Sequence, residues 1–276
     1  MFRLSFSLLI ADTLHLTMLA FYLVPASALQ QWLLPAGWLR EMPGKFIRLS
    51  WYAMEIMLCN LALNRFVAVC KPNQYNTWYS DTRTKLAIVI SWILAACLCI
   101  VGEIILPCCS LYLFYGAYSY AYLSEGYKYN HTYVTRSMDI FTSTAIVVLH
   151  GFVLWNIRAS SNRVAENLAS ETLIRRRRRE VRYAIQLLIV SAIYLTEWVL
   201  FDLLNRLISP ETAPVGTYIF VPFLQLFNAS SNGIVLLFLN KEVKKEVKTI
   251  FSCSQSEMNP EAKTNSGTQA TAGNGK

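Results

Sequence analysis

Long apolar stretches, broken by short polar connections, dominate the pattern along this chain. Six of them can be drawn, at about 4–29, 46–70, 84–107, 136–157, 182–207 and 215–239. Each is close to the roughly 20 residues that a helix rising 1.5 Å per residue needs to cross about 30 Å of hydrocarbon. A segment in lipid must satisfy its own backbone, so all six are predicted to be helices. The predicted fold is therefore all-α, a multi-pass transmembrane bundle. Residues 1–240 form the bundle. Residues 241–252 place Val243, Val247, Ile250 and Phe251 opposite a face of lysines, which predicts an amphipathic helix lying on the membrane. Residues 253–276 are poor in apolar groups and are expected to be a disordered tail.

Within the apolar runs a second pattern stands out. Arg48, Trp51, Tyr52 and Glu55 recur at i, i+3, i+4 and i+7, and the same stripe continues through Leu58, Cys59 and Ala62 to Arg65. Asp12 and His15 lie one turn apart in the first span, and Gln225, Asn228 and Asn232 are similarly spaced in the last. The fifth span carries Glu197, Trp198 and Asp202, and the fourth begins near Asp139. Ionisable groups cost roughly 2.5–3.5 kcal/mol in the bilayer interior, so each marks either a structural polar pair or a functional site.

Composition agrees with a membrane protein: 54% of the 276 residues are hydrophobic and only 15% charged. The net charge of +8 does not point to nucleic acid, because the basic residues cluster in connections. Most of the 25 lie in loop 64–85, in loop 156–182 with its run Arg175 to Arg179, and in the tail. The positive-inside rule then places these regions and the C-terminus in the cytoplasm. The sequon Asn130-His131-Thr132 falls in the opposite loop, 108–135, and marks Asn130 as a glycosylation site. Six spans leave both ends on one side, and the abrupt apolar start raises the expectation of a further span before residue 1. Seven cysteines and three scattered histidines form no metal-binding spacing, so no metal or cofactor is expected. Neither is a clustered nucleophile, so the chain is not expected to be an enzyme.

Asn64-Arg65-Phe66, followed by Val69-Cys70-Lys71-Pro72, resembles the Asp-Arg-Tyr motif that closes the third helix of rhodopsin-like G-protein-coupled receptors. Leu8 to Asp12 resembles their second helix, whose aspartate lines an interior sodium and water pocket. Trp92, 27 residues after Arg65, looks like the fourth-helix tryptophan. Asn232 to Lys241 is similar to the seventh-helix motif running into the eighth helix. More narrowly, Asn-Arg-Phe-x-Ala-Val followed by Pro72 and Tyr75 resembles the nematode serpentine receptors of class x, a chemoreceptor-like family. The six spans then correspond to helices two to seven, with the first helix lacking.

The resemblance implies a plasma-membrane chemosensory receptor that binds an external ligand inside the bundle and signals to a heterotrimeric G protein. Asn64, Arg65, Phe66 and Glu180 form the coupling switch, with Arg65 pairing with Glu180 at rest. Asp12, His15, Asn228 and Asn232 line an interior polar pocket. The ligand, a small molecule or a peptide, lies near Arg48, Trp51, Tyr52, Glu55, Asp139, Glu197, Trp198 and Asp202. Its partners are that ligand, the G protein and membrane lipid. Two alternatives stand beside this reading: a polytopic transporter or channel with Asp12, Glu55 and Glu197 as relay groups, and a truncated, non-signalling receptor product.

Overall fold

The computed structural model describes residues 2–106, 111–122, 129–166, 171–207 and 218–239. Residues 1–233 cluster into one compact unit and 234–276 into a second. Of the second unit only the last turn and a half of a helix, 234–239, is described. The expected amphipathic helix 241–252 and tail 253–276 lie outside the described residues.

Helix α1 (Phe2–Met18) opens into a wide π-helical turn at Leu19–Leu23 and continues as α2 (Val24–Leu29). Pro25 explains the turn. It lacks the N–H that would bond the carbonyl of Phe21, and its ring crowds that carbonyl, so the helix widens just before it. The helix stops where Gln30 takes a left-handed conformation, φ 51°.

Helix α3 (Trp38–Cys70) is the central element. It packs against α1 and against the helices at Asp81–Ile100, Arg136–Glu166 and Glu171–Leu207. All eight residues from Trp51 to Leu58 are buried, so the helix is enclosed on every side along this stretch. Its 33 residues span about 50 Å, more than a bilayer needs, and its first turns extend beyond the predicted start at residue 46.

A short helix α4 (Tyr75–Trp78) leads to α5 (Asp81–Ile100). The Ser80 hydroxyl caps α5 by accepting from the Arg83 N–H at 3.4 Å, and Asp81 places a negative charge in the first turn. Both favour a helix start at this point. A second π turn, Val101–Ile105, ends this span and buries Glu103. A third, Asn130–Thr135, opens α6 (Arg136–Glu166). Helices α7 (Glu171–Leu207) and α8 (Phe220–Leu239) complete the set.

Five described segments are long and apolar enough to cross a membrane: Arg3–Leu29, Trp38–Cys70, Asp81–Ile105, Asn130–Ala159 and Ala184–Leu203. They match the first five predicted spans, and α8 occupies the sixth. Leu86, Val89, Ile90, Ile93, Phe141, Val147, Val148 and Trp155 point outward, and buried polar groups face one another within. That is the pattern a helical bundle adopts in lipid.

The predicted loop 108–135 is more ordered than its composition implies. Strands β1 (Leu111–Phe114) and β2 (Ser119–Tyr122) form an antiparallel hairpin, with Leu113 opposite Tyr120. Period-2 alternation turns Leu111 and Leu113 inward while Tyr112 and Phe114 stay partly exposed. Leu111, Leu113 and Tyr120 join Leu19, Tyr22, Leu23, Ile47, Phe201 and Val221 in one apolar cluster. The hairpin therefore plugs one end of the bundle. Gly44 lets it seat there, because a Cβ at this position would overlap the backbone carbonyl of Leu111.

Candidate functional site

Between the hairpin and the middle of α3 lies a small cavity lined by Ile47, Arg48, Trp51, Leu111, Tyr120, Thr135, Asp139, Phe201 and Gln225. Below it a second is lined by Asp12, His15, Ser50, Trp51, Met54, Glu197, Gln225 and Asn228, among others. Trp51 and Gln225 border both. The upper one offers about 20 Å³ to the centre of a water-sized sphere and the lower about 10 Å³, room for a water molecule or so each.

Three hydrogen-bonded groups build the surrounding walls. In the first, Arg48 Nε lies 3.4 Å from Glu103 Oε1, and both side chains are buried. Glu103 also accepts from Asn130 Nδ2 at 2.6 Å and from the Leu111 N–H at 3.4 Å. Tyr52 Oη reaches Asn130 Oδ1 at 3.5 Å and Thr135 Oγ1 at 3.0 Å. This network ties α3, the end of the third span, β1 and the start of the fourth span to one carboxylate.

In the second, Tyr194 donates to Glu55 Oε1 at 2.5 Å and approaches Thr142 Oγ1 at 3.4 Å. Trp51 Nε1 donates to Asp139 Oδ1 at 3.2 Å, and its ring packs on Tyr194 with centroids 5.7 Å apart. Glu55 and Asp139 interact across the α3–α6 contact. In the third, His15 Nδ1 lies 3.1 Å from Ser50 Oγ and Nε2 lies 2.5 Å from Gln225 Oε1. Asn228 Nδ2 points at Met54 Sδ, 3.7 Å away.

The structure brings most of the expected residues together. Arg48, Trp51 and Asp139 line the upper cavity, Asp12, His15, Asn228 and Glu197 the lower. Tyr52 and Glu55 sit behind these walls, fully buried. Trp198 and Asp202 line neither cavity. Asp202 instead lies 3.9 Å from Arg136 Nε and 4.0 Å from His131 Nε2, at the rim near the start of the fourth span. The side chain of Asn232 lies outside the described residues.

At the opposite end of α3, Asn64 and Arg65 are buried, and Asn64 Nδ2 donates to Tyr75 Oη at 3.4 Å. Phe66 meets Phe152 edge to face, with centroids 6.0 Å apart. The side chain of Glu180, the expected partner of Arg65, lies outside the described residues. Asn130, expected as an exposed glycan acceptor, is fully buried with its amide nitrogen bound to Glu103. The π turn that starts α6 six residues before the predicted boundary draws it into the bundle, and a sugar on that nitrogen has no room in this conformation.

Sequence reasoning passed over Glu103 and Tyr194. Glu103 carried a usable signal: a lone acid in the last turn of an otherwise apolar span. Tyr194 lies one turn before Glu197 but pairs with Glu55 on another helix, a contact no local spacing encodes.

Residues 3–240 match the family described as serpentine type 7TM GPCR chemoreceptor Srx. The melatonin receptor type 1B-B of Danio rerio is 25% identical over 226 residues, a match covering 77% of this chain and 61% of that receptor. The chain thus spans less than two thirds of that relative's length. The crystal structure of squid rhodopsin superposes with a TM-score of 0.70 at 12% identity, over 95% of this chain and 81% of that one, so the two share a fold.

Proposed function

The chain belongs to the serpentine 7TM GPCR chemoreceptor family Srx, and from that premise we propose that it is a plasma-membrane receptor that binds an external chemosensory ligand and signals to a heterotrimeric G protein. The hairpin end faces outward and the Arg65 end and C-terminus face the cytoplasm, in keeping with the basic loops that follow α3 and α6.

The observation that carries this reading is the continuity of α3. One buried helix holds Arg48, Trp51 and Glu55 beside the cavities and Asn64 and Arg65 at its far end. A ligand that prefers one packing of α3 against α6 and α7 shifts the population of that packing, and the change reaches Arg65 along a rigid element. In the resting state Arg65 is sheathed and pairs with Glu180. In the active state it turns toward the G protein.

Topology is the first test. A single cysteine replacing exposed Gln31, at the hairpin end, is expected to react with an impermeant thiol reagent on intact cells. One replacing exposed Arg83, at the Arg65 end, is expected to react only after permeabilisation. The reverse pattern removes the coupling role from Arg65.

A further inference from the structure

The buried charges around the two cavities are out of balance. Among the described residues, Asp12, Glu55, Glu103, Asp139 and Glu197 are all buried and gather about α3. Only one guanidinium, Arg48, and one imidazole, His15, stand among them. Arg48 is bound to Glu103. His15 is taken up by Ser50 and Gln225. Among the described residues Asp139 makes no ion pair within 4 Å. Its hydrogen-bond partners, the indoles of Trp51 and Trp198 and the Glu55 carboxyl, bring no positive charge, and Arg48, close enough to act on it through space, is already held by Glu103.

A separate observation points the same way. Glu197 is 1% exposed and lines the lower cavity, yet among the described residues neither of its carboxylate oxygens has a well-formed hydrogen bond, the Asn228 and Gln225 side chains being near enough only for weak ones. Buried carboxylates in this condition take up either a proton or a cation.

The walls decide which cation. Trp51, Tyr120 and Phe201 present ring faces or edges to the upper cavity, with Ile47 and Leu111 completing an apolar surround. Aromatic faces attract cations, and more strongly when water is excluded. The space beside Asp139 holds a group about the size of one water. A primary ammonium has that size, whereas a trimethylammonium is several times larger.

Resting on the receptor reading above, we propose that the ligand is a primary amine. Its ammonium group enters beside Asp139 and Trp51, and its apolar or aromatic body lies against Ile47, Leu111, Tyr120 and Phe201. Seating that body displaces the hairpin, so Leu111 and Tyr120 report on occupancy.

The test uses the full chain in lipid nanodiscs, with no G protein, so that it reads binding apart from signalling. The probes are a series of primary amines from butylamine to 2-phenylethylamine, with 2-phenylethanol, phenylacetate and the N-trimethyl form of phenylethylamine as isosteres. The readouts are thermal unfolding and tryptophan fluorescence. The amines are expected to raise the unfolding temperature in a saturable way, and the isosteres to require at least about tenfold higher concentration. Asp139→Asn is expected to weaken amine binding roughly 30-fold or more. If it fails to fold, the wild-type isostere series still decides. Equal binding of alcohol, acid or trimethyl forms overturns the proposal, as does the absence of binding by every amine at millimolar concentration. Amine binding by a chain that never activates a G protein would instead overturn the receptor reading and leave the amine site standing.

Discussion

Replacing Glu103 with alanine is the sharpest perturbation of the hairpin end. Three partners converge on its carboxylate: the Arg48 guanidinium as an ion pair, with Nε at 3.4 Å, and two hydrogen-bond donors, Asn130 Nδ2 at 2.6 Å and the Leu111 N–H at 3.4 Å. Alanine strands all three, and the buried Arg48 guanidinium dominates. Removing one partner of a buried ion pair costs about 3–5 kcal/mol. Each stranded amide adds up to about 1–3 kcal/mol, part of which is returned as water enters the space left behind. The expected loss is therefore about 4 kcal/mol, or on the order of 10 °C in unfolding temperature for a chain of this size. Combining it with Arg48→Met, so that the double variant carries Arg48→Met and Glu103→Ala, removes the stranded charge and is expected to recover much of the loss. Circular dichroism melts of the four proteins in nanodiscs form a double-mutant cycle. A Glu103→Ala loss under about 1 kcal/mol, or a double variant as unstable as the two losses summed, would refute the assignment of Glu103 as the hub of this end.

Two further substitutions probe neighbouring features. Tyr194→Phe keeps the ring against Trp51 but removes the hydroxyl that holds Glu55, and is expected to cost about 1–3 kcal/mol in the same melts. Gly44→Ala puts a methyl into the carbonyl of Leu111 and is expected to unseat the hairpin, at a cost of about 1–3 kcal/mol, and to speed its cleavage by protease. An unchanged melt would show that the hydroxyl of Tyr194 is dispensable, and unchanged cleavage that the hairpin does not depend on close approach at Gly44.

The spans were legible because lipid imposes a length and a composition on each helix, and the first five run close to where apolar runs predict them. Polar residues inside those runs also marked the interior correctly at Asp12, His15, Arg48, Glu55, Asp139 and Glu197, since an isolated charge in an apolar run has few places to go but inward. The helical stripe on α3 was only half the picture. It predicts one polar face, whereas Ala53, Met54, Ile56 and Met57 on the other faces are buried too, because α1, α5, α6 and α7 all pack on this helix. The hairpin was not legible. Tyr dominates 111–122, its strands are four residues each, and its stability comes from Ile47, Phe201 and Val221, which are remote in sequence. The early start of the fourth span is equally non-local, since Asn130 is drawn inward by Glu103, 27 residues away.

Guanine-nucleotide exchange on a purified heterotrimeric G protein, driven by the full chain in nanodiscs, tests the central claim most directly. Wild-type chain is expected to accelerate exchange above that of empty nanodiscs, further so with a bound amine, and Arg65→Ala to return it to the empty-disc rate while keeping the far-ultraviolet circular dichroism spectrum of the folded bundle at the assay temperature. Exchange that is the same with wild-type chain, Arg65→Ala and empty nanodiscs, across the range of G-protein classes, would contradict a signalling role for this bundle.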